Sequence, residues 1–332
     1  MAAANYTVFS QGCLRGVSSC LVGLLLVLCS LPVVADTRQP AKGLEQIRVW
    51  PKGSNVLPGG ITTLDDEEIF AQKPTDIRNP TYIVYSPQKS TGVSIIVFPG
   101  GGYKGLAIDS ESTIGLDGSA GGKWLTDSGI TCVLLKYRVP DSGCHWDDKT
   151  RKNITPDVPM ALQDAQRTIS TIRYNAKKYN VDPNKIGVMG FSAGGNLAVL
   201  SSTAFKKRSY DPIDDIDTVS CRPDFAIPVY PGHMTMEHKN KTPKKVASKE
   251  LNTDILISNE IPPTLLVHAK DDPVDPFYYS KVYEKALRKA GVNVKLNAYE
   301  TGGHAFGVRK SGKHTDRWTD DALGWLKKMN IL

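Results

Sequence analysis

The sequence predicts an α/β fold with a mostly parallel central sheet, helices on both of its faces and a small polar insertion placed to cap one edge. Two observations carry this expectation. Short continuous apolar runs, of the kind that form strands buried on both faces, alternate with longer stretches whose apolar residues recur at spacings of three and four. Several of the runs also end in glycine- or proline-bearing loops, which in a parallel sheet collect at one edge. The chain has 332 residues, 40% hydrophobic and 23% charged, and no internal repeat, which is the composition of one large globular domain or two small ones.

From the N-terminus, residues 21–28, LVGLLLVL, form the one strongly apolar run. It is too short for a comfortable membrane span and is followed by SLPVVAD, with Ala35 at a suitable cleavage point. Residues 1–35 therefore read as a signal peptide, and the mature protein as secreted or periplasmic without stable membrane insertion. Residues 36–69 form an N-terminal extension, punctuated by Pro and Gly, with one short strand candidate at 47–50. The catalytic domain is expected over 70–332.

Within it, TYIVYSP (81–87) alternates as a half-buried strand does, and VSIIVFPGGGY (93–103) is a buried strand running into a glycine loop. A short helical segment with Trp124 and Leu125 ends at Gly129 and precedes the strand TCVLLKYRV (131–139). Leu162, Ala165, Ile169, Ile172, Ala176 and Tyr179 make the apolar stripe of an amphipathic helix. Next, IGVMGFSAGGNLAVLSS (186–202) passes from a buried strand through Ser192 to a small-residue helix. DFAIPVYPG (224–232), PTLLVHAKDD (263–272) and VNVKLNAYE (292–300) supply further strands, with helices expected at 278–290 and 318–329. The polar stretch 233–259 is the candidate cap.

Six cysteines are present, of which Cys13, Cys20 and Cys29 leave with the leader. The remaining Cys132, Cys144 and Cys221 are an odd number, against a full disulfide framework, although Cys144 and Cys221 could pair if their loops meet. The net charge of +7 falls by one with Arg15, and much of the excess lies in HKNKTPKKVASKE (238–250). Without interleaved aromatic residues this reads as a solvated loop, with attraction for anionic polysaccharide or surfaces as the second reading, and no nucleic-acid partner is implied.

Gly190, Ser192 and Gly194 fit G-x-S-x-G, in which small neighbours permit a strained strand-to-helix turn that holds the serine oxygen clear of the backbone. An N-cap serine would need no such glycines. A serine hydroxyl needs a base and an orienting acid. Of six histidines, His304 in ETGGHAFG directly follows a strand and is flanked by tight-turning glycines. His145 and His314 lie in loops, His233 and His238 in the polar insertion, and His268 within a strand as a satisfied core histidine. The acid should come from Asp271, Asp272 or Asp275, which gives the chain order Ser, Asp, His. Gly100, Gly101 and Gly102 follow a buried strand and can bring N–H donors to a substrate oxygen, together with the N–H of Ala193. No phosphate-loop pattern is present in PGGGYKG.

FPGGGY, LLKYRV, DAQRTI, IGVMGFSAGGNLA, HAKDDPVDP and GGHAFG together resemble the secreted α/β-hydrolase esterases of the acetyl xylan esterase type, relatives of the hormone-sensitive-lipase-like group. The likeness spans about residues 70–330 and implies an α/β-hydrolase fold and a serine esterase acting on acylated polysaccharide or oligosaccharide, with no metal or organic cofactor. It also implies Gly101, Gly102 and Ala193 as oxyanion donors and Asp272, which precedes a proline, as the acid. Pro99 stands where the lipase-like group has His, as in the esterase subgroup. Asp275 stands where such loops often carry an apolar residue, which keeps Asp271 open as the acid. Tyr103, closing the glycine loop, is expected to touch substrate. Glycosidase chemistry is not expected, because nothing organises a flanking carboxylate pair. Two rivals are a serine peptidase of the prolyl-oligopeptidase type, for whose usual additional domain the chain has no room, and a carbohydrate-binding protein that has lost catalysis.

Overall fold

The computed structural model describes residues 45–52, 72–108, 121–143, 145–147, 149, 152–154, 156, 159–235 and 250–332. The expected signal peptide, most of the stretch 36–69, Cys144 and the centre of the polar insertion lie outside these residues. In chain order the first elements are strands β1 (Gln46–Arg48), β2 (Thr81–Tyr85) and β3 (Ser94–Phe98), helix α1 (Gly121–Asp127) and strand β4 (Thr131–Lys136). A hairpin of β5 (His145–Asp147) and β6 (Lys152–Ile154) leads to α2 (Met160–Tyr174), β7 (Ile186–Phe191) and α3 (Ala193–Thr203). Then come β8 (Phe225–Val229), β9 (Thr264–Ala269), α4 (Tyr278–Lys289), β10 (Val294–Tyr299) and α5 (Trp318–Lys328).

Among the described residues, eight strands form one sheet in the order β1-β2-β4-β3-β7-β8-β9-β10. Only the β1–β2 and β2–β4 pairs are antiparallel, and from β4 to β10 every pairing is parallel. All residues of β3, β4, β7, β8 and β9 are buried, which is why these strands read as unbroken apolar runs. Strand period divides their side chains between two cores. Ile96, Phe98, Val188 and Leu266 pack with Leu162, Ile169, Leu197 and Leu287 of α2, α3 and α4. Ile95, Val97, Met189 and Val267 pack on the opposite face with Leu125, Trp318 and Trp325 of α1 and α5.

The short strand expected at 47–50 falls on β1, which extends the sheet, and Trp50, 2% exposed, donates its indole N–H to Asp164 of α2 at 2.8 Å. The same carboxylate receives the Arg138 backbone N–H at 2.9 Å and its guanidinium at 2.8 Å, so one buried anion ties together β1, the exit of β4 and α2. His145, expected in a loop, begins the β5–β6 hairpin, with Nδ1 2.9 Å from the Gly143 carbonyl. Finally, α2 stops at Tyr174 although its apolar stripe continues, with Asn175 at the C-cap and its side chain donating to the Thr171 carbonyl at 2.9 Å. Cys132 is buried in β4, and Cys221 is a buried free thiol 3.5 Å from the Phe205 carbonyl. Among the described residues no helix is long and apolar enough to cross a membrane.

Candidate active site

Strand β7 lies in the middle of the sheet, and the next residue, Ser192, has φ 55° and ψ −117°, a conformation unfavourable for any side-chain-bearing residue. Hydrogen bonds hold it there. Its N–H donates to Val229 at 3.1 Å, and its carbonyl accepts from Gly232 at 3.1 Å and Asn196 at 3.0 Å. The turn closes only because its neighbours lack side chains: a Cβ on Gly190 would come within 1.9 Å of the Gly194 carbonyl oxygen, and one on Gly194 within 2.1 Å of the Phe98 carbonyl oxygen. Helix α3 therefore starts hard against the end of β3, and the Ala193 N–H, in its first turn, has no intrahelical acceptor.

The loops after β9 and β10 bring their side chains to the same edge. His304 Nε2 lies 3.1 Å from Ser192 Oγ, and Nδ1 lies 2.8 Å from Asp272 Oδ2. Asp272 Oδ1 accepts the N–H groups of Val274 at 2.8 Å and Asp275 at 3.0 Å, so both carboxylate oxygens are engaged. Burial would raise this carboxyl's pKa; hydrogen bonds from His268 and His304 outweigh it and hold the group down at about 2. Asp271 turns elsewhere, accepting the Gly303 N–H at 2.7 Å. Of the three candidate aspartates it is thus Asp272 that the fold sets against the histidine, while Asp271 ties the β9 loop to the β10 loop.

Asp275 occupies a third position. Its Oδ2 is 3.2 Å from Ser192 Oγ and 3.8 Å from His304 Nε2. His268, fully buried in β9, anchors this loop: Nε2 donates to the Asp275 carbonyl at 2.9 Å, which leaves Nδ1 to accept from the Ser280 hydroxyl at 2.8 Å. The Tyr230 ring, buried at the end of β8, packs edge-on against the His304 ring at 4.9 Å between centroids and against Phe306 at 4.5 Å. Burial raises the pKa of the Tyr230 hydroxyl, which accepts the Gly307 N–H at 3.3 Å. Neither the packing of Tyr230 against His304 nor the direction of the Asp275 side chain was legible beforehand. The signal for Tyr230 is its place at the C-terminal end of the strand beside β7.

The glycine loop lies against Ser192, with the Cβ position of Gly100 only 3.3 Å from Ser192 Cβ. Gly101, at φ 126°, passes so close to the Gly105 carbonyl oxygen that a Cβ would come within 2.1 Å, and Gly102, at φ 65°, meets nothing within 4 Å. Carbonyl oxygens of the loop are consumed internally: Gly100 accepts from Ala107 at 2.9 Å and Gly101 from Lys104 at 3.1 Å. Tyr103 is a correction to the sequence reading. It has no exposed surface, its hydroxyl donates to Asn196 Oδ1 at 2.8 Å, and a Cβ on Gly143 would strike its ring at 2.7 Å. With φ 57° the chain turns the ring inward, so Tyr103 braces the glycine loop on α3 rather than facing substrate. A cavity of about 750 Å³ lined by Thr203, Lys206, Tyr210, Leu256 and Ile257 includes none of these site residues.

The profile of the prolyl oligopeptidase family matches residues 121–330, a span that holds Ser192, Asp272 and His304. The chain belongs to that family. Among its relatives, the acetylxylan esterase of Xylanibacter ruminicola is 29% identical over 262 residues, 74% of this chain and 48% of that protein. Endo-1,4-beta-xylanase B of Butyrivibrio fibrisolvens is 26% identical over 226 residues, 64% of this chain and 32% of that protein. The chain thus spans about half the length of the first relative and a third of the second. Of solved structures, the acetyl ester-xyloside bifunctional hydrolase of Caldicellulosiruptor lactoaceticus is 30% identical with a TM-score of 0.63, covering 89% of this chain and 98% of that one. Esterase 2 of Thermogutta terrifontis, 22% identical with a TM-score of 0.59 and covering 78% of this chain and 91% of that one, shares the α/β-hydrolase fold.

Proposed function

We propose that the protein is a secreted serine ester hydrolase that removes short acyl groups, acetyl foremost, from a polysaccharide or its oligomers. The observation that carries this is the relay from Ser192 Oγ through His304 to Asp272, closed by contacts of 3.1 and 2.8 Å at the edge where the parallel strands end. Ser192 Oγ attacks the ester carbonyl while its proton passes to His304 Nε2, and the oxyanion is received by N–H groups of Gly101, Gly102 and Ala193. The carbon–oxygen bond to the alcohol then breaks, with the proton returning from Nε2 to the leaving oxygen. A water molecule gives one proton to His304 as it attacks the acyl-enzyme, and release of the acid restores the Ser192 hydroxyl. Asp272 fixes the imidazole and stabilises its charged form. The names of the Xylanibacter and Caldicellulosiruptor proteins support acetylated xylan as the polymer.

Ser192→Ala should remove hydrolysis of p-nitrophenyl acetate, a loss of about 10⁶ in turnover, with the fold intact; activity like the parent's in that variant would end the proposal. Acetate release from acetylated xylan, measured beside ferulate release from a feruloylated arabinoxylan, decides the acyl group. The family match favours one second reading, a peptidase. It predicts cleavage of a prolyl p-nitroanilide at a rate comparable with the acetyl ester, whereas the esterase predicts no measurable amide cleavage.

A further inference from the structure

His268 takes no part in the relay, yet it stands beside its far end. The ring has no exposed surface and lies in β9, four residues before Asp272. Nε2 is 2.9 Å from the Asp275 carbonyl oxygen and 3.5 Å from Asp272 Oδ2. Both neighbours are acceptors, so this nitrogen carries a proton. Nδ1 is 2.8 Å from the hydroxyl of Ser280, a residue without exposed surface in the first turn of α4. The hydroxyl gives its proton to Nδ1, and the ring is thereby held in a single tautomer.

Asp272 consequently faces two imidazoles. His304 Nδ1 meets its Oδ2 at 2.8 Å, and His268 Nε2 approaches the same oxygen from β9. At 3.5 Å the second contact is too long for a strong hydrogen bond, and the bond proper goes to the Asp275 carbonyl. What the ring supplies is a fixed N–H dipole at the anion and a grip on residue Asp275, whose own N–H bonds Asp272 Oδ1 at 3.0 Å. Both oxygens of Asp272 are therefore placed by groups tied to His268. Burial raises the pKa of the Asp272 carboxyl, and of the contacts that overcome this the one with His268 is the largest. A core histidine needs only to have its two nitrogens satisfied; this one spends its donor on the turn that carries the orienting carboxylate.

We propose that His268 is a positioning residue for ester hydrolysis: through its Nε2–H it sets where the Asp272 carboxylate stands against His304, and Ser280 fixes the tautomer this requires. The role rests on Ser192, His304 and Asp272 forming the proposed relay. Glutamine and asparagine separate the two ring nitrogens, because the amide of the first reaches the place of Nε2 and that of the second only the place of Nδ1. With folding checked by circular dichroism, His268→Asn should lower kcat for p-nitrophenyl acetate about 10²-fold, the cost of a misplacement of about an ångström, with KM within about twofold of the parent. His268→Gln keeps the donor and should stay within about fivefold of the parent. In an Asp272→Asn background, His268→Asn should cost less than about threefold more, because the carboxylate it places is already gone. A purely structural residue would instead show losses that multiply. Parent-like turnover in His268→Asn, equal losses in both His268 variants, or multiplied losses in the double variant overturn the role. Nitrogen-15 NMR of the parent tests it without any variant: the His268 proton should sit on Nε2, and a proton on Nδ1 alone overturns the assignment. These failures leave the relay standing, whereas a parent inactive on the ester, or a Ser192→Ala variant as active as the parent, removes the esterase reading and this role with it.

Discussion

Replacing Asp272 by Asn tests the proposed orienting acid apart from its neighbours, and the hydrogen bonds of the loop say how. In the parent, Oδ1 accepts two backbone N–H groups, from Val274 and Asp275, and Oδ2 accepts from His304 Nδ1. An asparagine has one acceptor oxygen and one donor nitrogen. Turning the oxygen to the two backbone donors points its NH₂ at His304, which must then accept at Nδ1 and carry its proton on Nε2, where it cannot take the Ser192 proton. The comparable change in serine proteases lowers turnover roughly 10⁴-fold, and a loss of that order is expected here. Stability should move too. The carboxyl is held at about 2 against an ordinary 3.8, and its side chain has no exposed surface, so the native state favours the anion by roughly 2 kcal/mol. A carboxyl with a depressed folded pKa adds stability above its unfolded value and loses it on acidification. The parent should therefore lose that increment between about pH 4 and pH 2, a limb missing from Asp272→Asn. Asp271→Asn keeps an oxygen for the Gly303 N–H and should change turnover by less than about tenfold. Steady-state hydrolysis of p-nitrophenyl acetate at matched pH, with urea unfolding followed by circular dichroism from pH 2 to 7, gives all of these quantities. A severe loss confined to Asp271→Asn would move the acid by one residue, and mild losses in both would refute the relay drawn through Asp272.

Three further outcomes follow from the same geometry. Ser192→Gly should unfold at higher urea than Ser192→Ala, by about 1 kcal/mol, because only glycine adopts the Ser192 backbone conformation without strain; equal midpoints would mean the elbow is unstrained. Gly194→Ala should fail to fold or lose about 3 kcal/mol, since its Cβ would lie 2.1 Å from the Phe98 carbonyl oxygen, and a parent-like thermal midpoint would contradict the tight closure of α3 on β3. Lys136, 3% exposed with its ammonium donating to Gln46 at 3.2 Å, has its pKa lowered by burial from 10.5 to about 8. The buried charge therefore costs stability below pH 8, and the cost is relieved as pH rises towards 10.5. Lys136→Met should be more stable than the parent by up to about 3 kcal/mol at pH 7, with the difference closing by pH 10; a pH-independent difference would place the ammonium in water.

What could be seen in the sequence was what depends on neighbouring residues. The glycines around Ser192 sit within four positions of it, and the steric reason for each is a contact inside the same turn or with the strand end beside it. The strands of the central sheet are buried on both faces, so their identity needed no knowledge of their partners. The aspartate that bonds His304 Nδ1 was different, because Asp271, Asp272 and Asp275 share one turn. Which of them meets His304 is decided by a donor from another loop, the Gly303 N–H, that captures Asp271, and by His268 holding the Asp275 carbonyl. The bond from Trp50 to Asp164 spans 114 positions, and nothing in the local pattern of either residue announces it.

Tyr103 shows the limit most clearly. An aromatic residue at the end of a glycine loop is chemically suited both to contact a sugar and to brace the loop. The choice was made by its φ of 57° and by the absence of a side chain on Gly143, forty positions away, which opens the space its ring fills. Polar atoms that close the site follow the same logic, in that the hydroxyl of Tyr103 is satisfied by Asn196 one turn into α3. The glycine loop and α3 are thereby joined through a buried hydrogen bond. Any change that frees Tyr103 should disturb the glycine loop without touching Ser192, His304 or Asp272.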